Sequence, residues 1–184
     1  MKKVLILFIL LPIFVNAQSN YFTLTKTGLI PTNDKDKNHI ILIFEGIDKK
    51  KLFQKVKSYI RKMSVSDKDV VDFYDDSTIT ANIIARDVVN YKKKLSFNYR
   101  YHLNYTIDYE FKDEAIKISI PKIVKIYSTR VVGKIHLQQR KGAFPQMIVF
   151  KKNGKLKTPS VKMSIEEYFK NYFDGLKNEI KTNW

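Results

Sequence analysis

From Leu95 to Phe111 apolar or aromatic residues occupy every odd position: Leu95, Phe97, Tyr99, Tyr101, Leu103, Tyr105, Ile107, Tyr109 and Phe111. Every even position is polar, from Ser96 through Arg100, His102 and Asn104 to Glu110. Side chains alternate faces along a strand, so the pattern predicts one long strand with a greasy face and a wet face. At about 3.4 Å per residue such a strand would exceed about 50 Å, so it must bend, bulge or curl. A second alternating run follows at Ile116, Ile118, Ile120, Val124 and Ile126. A two-residue turn at Asp113-Glu114 sets Phe111 opposite Ile116, Tyr109 opposite Ile118, Leu103 opposite Val124 and Tyr101 opposite Ile126, all apolar. A slip of one residue would set apolar against polar, so this register is the expected one. On the wet face it places Glu110 opposite Lys117, Arg100 opposite Tyr127, His102 opposite Lys125 and Asn104 opposite Ile123.

The pattern elsewhere supplies the rest of a sheet and two helices. Tyr21–Thr25 predicts a short edge strand, and the remainder of 18–38 reads as a polar arm. The unbroken run Ile40-Ile41-Leu42-Ile43 suits a central strand covered on both sides, with His39 a surface residue at its mouth. Leu52, Phe53, Val56, Tyr59, Ile60 and Met63 recur at helical spacing after Asp48, a candidate N-cap. Val70–Tyr74 and a strand lined by Ile79, Ala81, Ile83 and Ala85, continuing through Val88 and Val89, flank a turn at Asp75-Asp76-Ser77. Val131-Val132, Ile135–Leu137 and Met147–Phe150 are short strands, and Asn153-Gly154 is a hairpin turn. A closing helix is expected to open at Ser164, where Ser164 and Glu167 form a capping box; Gly175 weakens its interior by about 1 kcal/mol. The predicted fold class is α+β: a curved antiparallel sheet with two helices packed on one face, in a single domain over 39–184.

The first residues carry a different message. Lys2 and Lys3 precede an apolar run from Val4 to Val15, and Val15-Asn16-Ala17 offers small residues for a peptidase. This predicts a signal peptide over 1–17, cleaved after Ala17, and hence export to the periplasm or outer envelope. A retained anchor is the alternative, but the run is shorter than the roughly 20 residues that span a bilayer. No second apolar run follows, so no transmembrane segment is expected after cleavage, and the absence of Cys rules out a lipoprotein anchor and disulfides.

Charge narrows the partners. Lys and Arg total 34 against 18 Asp and Glu, a formal +16, yet only Arg61, Arg86, Arg100, Arg130 and Arg140 are arginines. Base readout and bidentate phosphate clamps favour Arg, so nucleic acid is not the expected partner of an exported chain of this kind. A lysine-rich surface is ordinarily a solvated one; the functional alternative is attraction to an envelope protein or an anionic envelope surface. The basic face of the first helix, Lys49 to Lys62, falls under the same two readings.

Candidate chemistry is sparse. Asp72, Asp75, Asp76 and Asp87 lack calcium-loop spacing, and Asp75-Asp76-Ser77 is ordinary turn chemistry. His39, His102 and His136 carry no GxSxG, HExxH or Walker context, so no catalytic residue, metal ligand or cofactor site is assigned. Arg100, His102, Asn104 and Tyr127 form the one cluster resembling a recognition surface, against the plain reading of a solvated sheet face.

Several blocks carry a family resemblance: Gly28-Leu29-Ile30, His39–Gly46, Leu52-Phe53, Ser66–Val71, Tyr105–Asp113 and Phe150–Lys157 with the closing helix. Together they resemble the domain of unknown function 4468 family, exported bacterial proteins described as having a fold like that of the TATA-box-binding protein. Glu114 departs from the Gly that often follows the matched Asp. The resemblance implies a curved antiparallel sheet with helices on one face and an envelope location. It implies no activity, and DNA binding does not travel with a shared fold. The leading expectation is a non-enzymatic envelope domain that binds a protein partner or an anionic surface. The alternatives are an envelope hydrolase with an unrecognised active site, and a purely structural subunit.

Overall fold

The computed structural model describes residues 20–63, 71–74, 77–92, 98–129, 133–138 and 147–182. Within them the alternating stretch becomes β6 (Asn98–Lys112), the spine of an eight-stranded sheet. Tyr101, Leu103, Tyr105, Ile107, Tyr109 and Phe111 are all buried on its greasy face. One edge of β6 pairs along its length with β5 (Thr78–Lys92), which pairs in turn with β4 (Val71–Tyr74). Its other edge is shared end to end by β7 (Ala115–Ser119) and β8 (Lys122–Tyr127). Beyond β8 lie β9 (Lys134–Gln138) and β10 (Met147–Phe150), the one parallel pair, and β3 (His39–Ile43) lies beyond β7. The helices α1 (Lys49–Met63) and α2 (Pro159–Thr182) contribute Leu52, Phe53, Val56, Ile60, Ile165, Phe169, Phe173 and Leu176 to the core shared with that face. The α+β class with two helices on one face is the observed one.

The hairpin register holds near the turn and fails beyond it. Phe111 faces Ile116, Tyr109 faces Ile118 and Glu110 faces Lys117, as predicted. The return strand then breaks at Ile120-Pro121, where Pro has no N–H to give a ladder. Beyond the break the pairing has slipped: Leu103 faces Ile126, His102 faces Tyr127 and Asn104 faces Lys125. Val124, expected in the core, is exposed at 57%. The turn keeps its two residues because Glu114 accepts a left-handed φ of 61°. Its carboxylate accepts the Gly46 N–H at 2.8 Å and its own N–H donates to the Ile47 carbonyl at 2.8 Å, so tertiary bonds hold the conformation that Gly would adopt freely.

Curvature comes from a bulge. The β5–β6 register shifts between Ala85 and Val89, and Asp87 sits there at φ 56°. Val89 returns to the buried face after it.

Four other expectations are corrected. First, β3 is an edge strand: among the described residues it pairs with β7 alone, and Ile41 and Ile43 are 54% and 62% exposed. A run of four apolar residues does not itself distinguish a covered strand from an uncovered one. Second, part of the supposed arm is a second strand. β1 (Phe22–Thr25) and β2 (Gly28–Pro31) form a hairpin, and Phe22, Leu24 and Leu29 enter the core. Third, α2 opens at Pro159, five residues before the capping box, because Pro suits a first helical position. Ser164 therefore lies inside the helix, where its hydroxyl donates to the Ser160 carbonyl at 2.7 Å and accepts the Asn90 N–H at 3.1 Å. Fourth, Met63 is exposed rather than on the buried stripe. Asp48 does cap α1, accepting the Lys51 N–H at 2.9 Å. Leu95–Phe97, Asp75-Asp76 and Val131-Val132 lie outside the described residues.

Burying tyrosines forces their hydroxyls to pair within the core. Tyr105 bonds Tyr168 at 2.9 Å, Tyr109 bonds Tyr172 at 2.8 Å, and the Tyr59 hydroxyl donates to the Tyr172 carbonyl at 2.8 Å. Gly175 explains itself here, since a Cβ in its place would stand 2.5 Å from the Tyr59 hydroxyl. Gly175→Ala should therefore destabilise the protein by about 1–3 kcal/mol, because it displaces a buried hydrogen bond. In a Tyr59→Phe background the same change should stabilise by up to about 1 kcal/mol through helix propensity. Urea unfolding of the four proteins checks the change of sign; destabilisation in both backgrounds contradicts it.

Burial also raises the tyrosine pKa values. Tyr59 is pushed up to about 12, first by burial and then by the Glu179 carboxylate, and burial raises Tyr105, Tyr109, Tyr168 and Tyr172 as well. Above pH about 10 the unfolded chain ionises these groups while the folded chain keeps them protonated. Stability is thus full below pH 10 and falls as pH rises through the folded-state values. The expected slope is about 1.4 kcal/mol per pH unit for each tyrosine held protonated. Melting from pH 8 to 12 should show this loss with tyrosinate absorbance rising at unfolding, and Tyr59→Phe should lessen the slope.

Candidate functional site

The wet face of β6 carries Arg100, His102 and Asn104 at alternate positions, and β8 brings Tyr127 against them. The slipped register changes who meets whom. His102, not Arg100, stands opposite Tyr127, with ring centroids 5.2 Å apart and edge-on. Lys125, which faces Asn104, folds its ammonium over the Tyr127 ring, 4.3 Å from the centroid. Arg100 is exposed and faces Asn90 across the β5–β6 ladder. The structure therefore joins His102 and Tyr127 directly, places Asn104 beside Lys125, and sets Arg100 one pair further along.

His102 is buried, at 9% exposure, despite its place on the polar face. Its Nδ1 accepts the Asp87 N–H at 3.0 Å, and the Asp87 carboxylate lies 3.7 Å away. In that arrangement Nδ1 is an acceptor and the ring proton sits on Nε2. The bulge and the histidine are one unit: residues 86–88 of β5 face His102 alone, two more than the partner strand supplies, and the Asp87 N–H this leaves unpaired finds its acceptor on His102. The sequence offers Asp87 only as one acid among several, and alternation gives no signal for its partnership with His102.

Beside this cluster a cleft of about 440 Å³ opens between β8 and β9. Lys125, Lys134 and His136 line it with Lys26, which arrives from the β1–β2 turn, and the exposed Val124 forms part of its wall. No carboxylate is among its lining residues. Elsewhere on the face the acids are engaged. Glu110 pairs with Lys117 at 3.0 Å, and Asp108 accepts from Thr80 at 2.7 Å and from its neighbour Ser119. At the β8–β9 end three lysines thus line a cleft without a carboxylate, and Lys125 adds the Tyr127 ring beside it. Lys26 and Lys134 had no motif to mark them; one lies in a turn over a hundred residues from the other, and only the tertiary fold unites them.

Among the described residues no group of three or more His, Asp or Glu could hold a metal ion, and no helix is long and apolar enough to cross a membrane. His39 makes a hydrogen bond with Asn38 at 2.9 Å.

No family model matches the sequence, and no curated protein matches it. Solved structures do show likeness. A DUF4468 family protein from Bacteroides ovatus has 12% identity and a TM-score of 0.56, covering 78% of this chain and 84% of that one. A TBP-like protein from Parabacteroides distasonis has 15% identity and a TM-score of 0.48, covering 76% of this chain and 91% of that one. The chain thus shares its fold with a DUF4468 protein, in keeping with the resemblance of its sequence blocks to that family.

His102→Ala should cost about 1–3 kcal/mol, since it strips the Asp87 N–H of its acceptor. Asp87→Gly should cost less, because Gly adopts φ 56° without strain and retains the N–H. Chemical denaturation ranks the two; an unchanged His102→Ala midpoint contradicts the assigned role.

Proposed function

We propose that this protein is a non-enzymatic, exported envelope domain that binds an anionic group through the basic end of its polar sheet face. The observation that carries the reading is the cleft that Lys26, Lys125, Lys134 and His136 line without a carboxylate, with Lys125 over the ring of Tyr127. Three lysine ammonium groups lining one cleft repel one another, and a bound anion relieves the repulsion. The exposed Val124 in the wall adds an apolar contact. The anionic group belongs to an envelope protein or to the envelope surface itself. Because Nδ1 of His102 accepts the Asp87 N–H, the proton sits on Nε2 and that nitrogen has no lone pair to act as a base, which supports a binding face over a hydrolase built on this histidine.

Export rests on the leader pattern of residues 1–17. Intact mass of the protein recovered from the envelope should correspond to a chain beginning at Gln18.

Retention on isolated envelope fractions tests the binding. The protein should be held at low ionic strength and released as salt shortens the screening length. A variant with Lys26, Lys125 and Lys134 each changed to Glu should be retained at least tenfold less, with an unaltered melting temperature. Equal retention of that variant contradicts the reading.

A further inference from the structure

A second surface lies where β7 and β3 extend the other end of the same β6 edge, and its geometry is that of an unfinished ladder. The β3–β7 bonds extend outward to Asn38, whose carbonyl accepts the Ile120 N–H at 3.2 Å, and to Phe44, whose N–H donates to Glu114 at 2.7 Å. Both ends of the ladder fall on even positions of β3. Antiparallel bonding alternates along a strand, so Ile40 and Leu42 bond towards β7. The N–H and C=O groups of His39, Ile41 and Ile43 therefore point away from it. No described strand pairs with that side.

What that side faces is a cleft of about 890 Å³. His39, Ile40, Ile41 and Leu42 all line it. Consecutive residues of both parities line a cleft when a strand presents its backbone edge rather than one face. The far wall is built by Tyr21 and Pro31 at the open end of the β1–β2 hairpin and by Asp174, Lys177 and Lys181 on α2. Natural sheet edges are ordinarily guarded by Lys, Pro or a bulge. The sequence His39-Ile40-Ile41-Leu42-Ile43 has none of these, and it leaves Ile41 and Ile43 exposed on the outer face.

We infer that this edge receives an extended segment of another protein, which adds to the sheet as a ninth strand beside β3. Charge sets its character. Both carboxylates in the cleft are engaged by the protein itself, Asp34 with Lys37 at 3.1 Å and Asp174 with the Tyr21 hydroxyl at 2.8 Å and Lys170 at 3.0 Å. Lys177 stands over the Tyr21 ring at 4.7 Å, and Lys181 follows one turn later on the same side of α2. The occupant is accordingly a strand with apolar residues at alternate positions, to cover Ile41 and Ile43, and with acidic residues beside them. A second copy of this chain is the less suitable occupant, since each copy carries a formal +16 and would set lysine-bearing walls against each other. The inference is independent of the basic cleft at β8–β9, which lies beyond the other end of the same edge of β6 and shares no lining residue with this one.

A synthetic peptide of alternating valine and threonine, with a glutamate at each end and both termini blocked, probes the edge. Titrated into the purified protein, it should slow amide exchange at Ile41 at least tenfold, while the Leu42 amide, already bonded to β7, stays slow throughout. The same peptide N-methylated at alternate residues should bind at least tenfold more weakly, as should the parent peptide to Ile41→Pro, which removes the outward N–H. Lysine in place of the two glutamates should also weaken binding at least tenfold. The inference is overturned by equal binding of the N-methylated peptide, by binding without protection of Ile41, or by no binding at millimolar peptide. It is likewise overturned if sedimentation shows a dimer in which Ile41 is protected before any peptide is added.

Discussion

A tyrosine ring gains from burial, but its hydroxyl must find a partner there or cost as much as an abandoned hydrogen bond. That constraint governs how the sheet and the helices meet. β6 sends Tyr105 and Tyr109 inward, four residues or about 13 Å apart along a strand. α2 answers with Tyr168 and Tyr172, also four residues apart but only about 6 Å along a helix. The two pairs are nevertheless both within hydrogen-bond distance, at 2.9 and 2.8 Å. The long aromatic side chains absorb the difference in spacing, and the crossing of helix over strand is fixed where both bonds close. Tyr59 extends the arrangement to α1 by donating to the Tyr172 carbonyl, and Gly175 gives it the space to do so. Most of the core depends on these few hydroxyls for its register, while dispersion and apolar burial supply the bulk of its stability.

The elements were legible wherever one physical signal dominated. Strict alternation located β6, and helical spacing located the stripe of α1, because burial on one face leaves a period that no local effect disguises. The signals failed where a local exception met tertiary structure. Pro121 broke the return strand and shifted its pairing, so that Val124 went to solvent and Tyr127 to His102. The Ser164 capping box had the right residues, but Thr158-Pro159 gave the helix an earlier start. Ile40 to Ile43 read as a covered strand because apolar content reports affinity for a core, whereas coverage depends on which segments arrive beside it.

The candidate site divides along the same line. Arg100, His102, Asn104 and Tyr127 were visible as polar positions on an alternating strand and its partner. Their roles were not, since those depend on a bulge and on a slip. His102 brackets the backbone, and Tyr127 packs against it and under the Lys125 ammonium. The lysines that give the neighbouring cleft its charge come from a hairpin turn and two later strands, and an excess of 34 cations over 18 anions says nothing of where they gather.

The hairpin near the start of the chain is fastened to the helix near its end. The buried Glu166 carboxylate accepts the Leu24 N–H at 2.8 Å and is held by Lys162, and Tyr21 donates to Asp174 across 153 positions of sequence. Phe22 packs between Phe169 and Phe173. These contacts have a consequence in time. A ribosome makes the hairpin first among these elements and α2 last, so the hairpin has no surface to dock on until synthesis is nearly done. Closing so long a loop is entropically slow, and it comes late in folding. The chain therefore has a built-in order of assembly: the hairpin and the closing helix seal the core together, and neither can do so before the last turns of α2 exist.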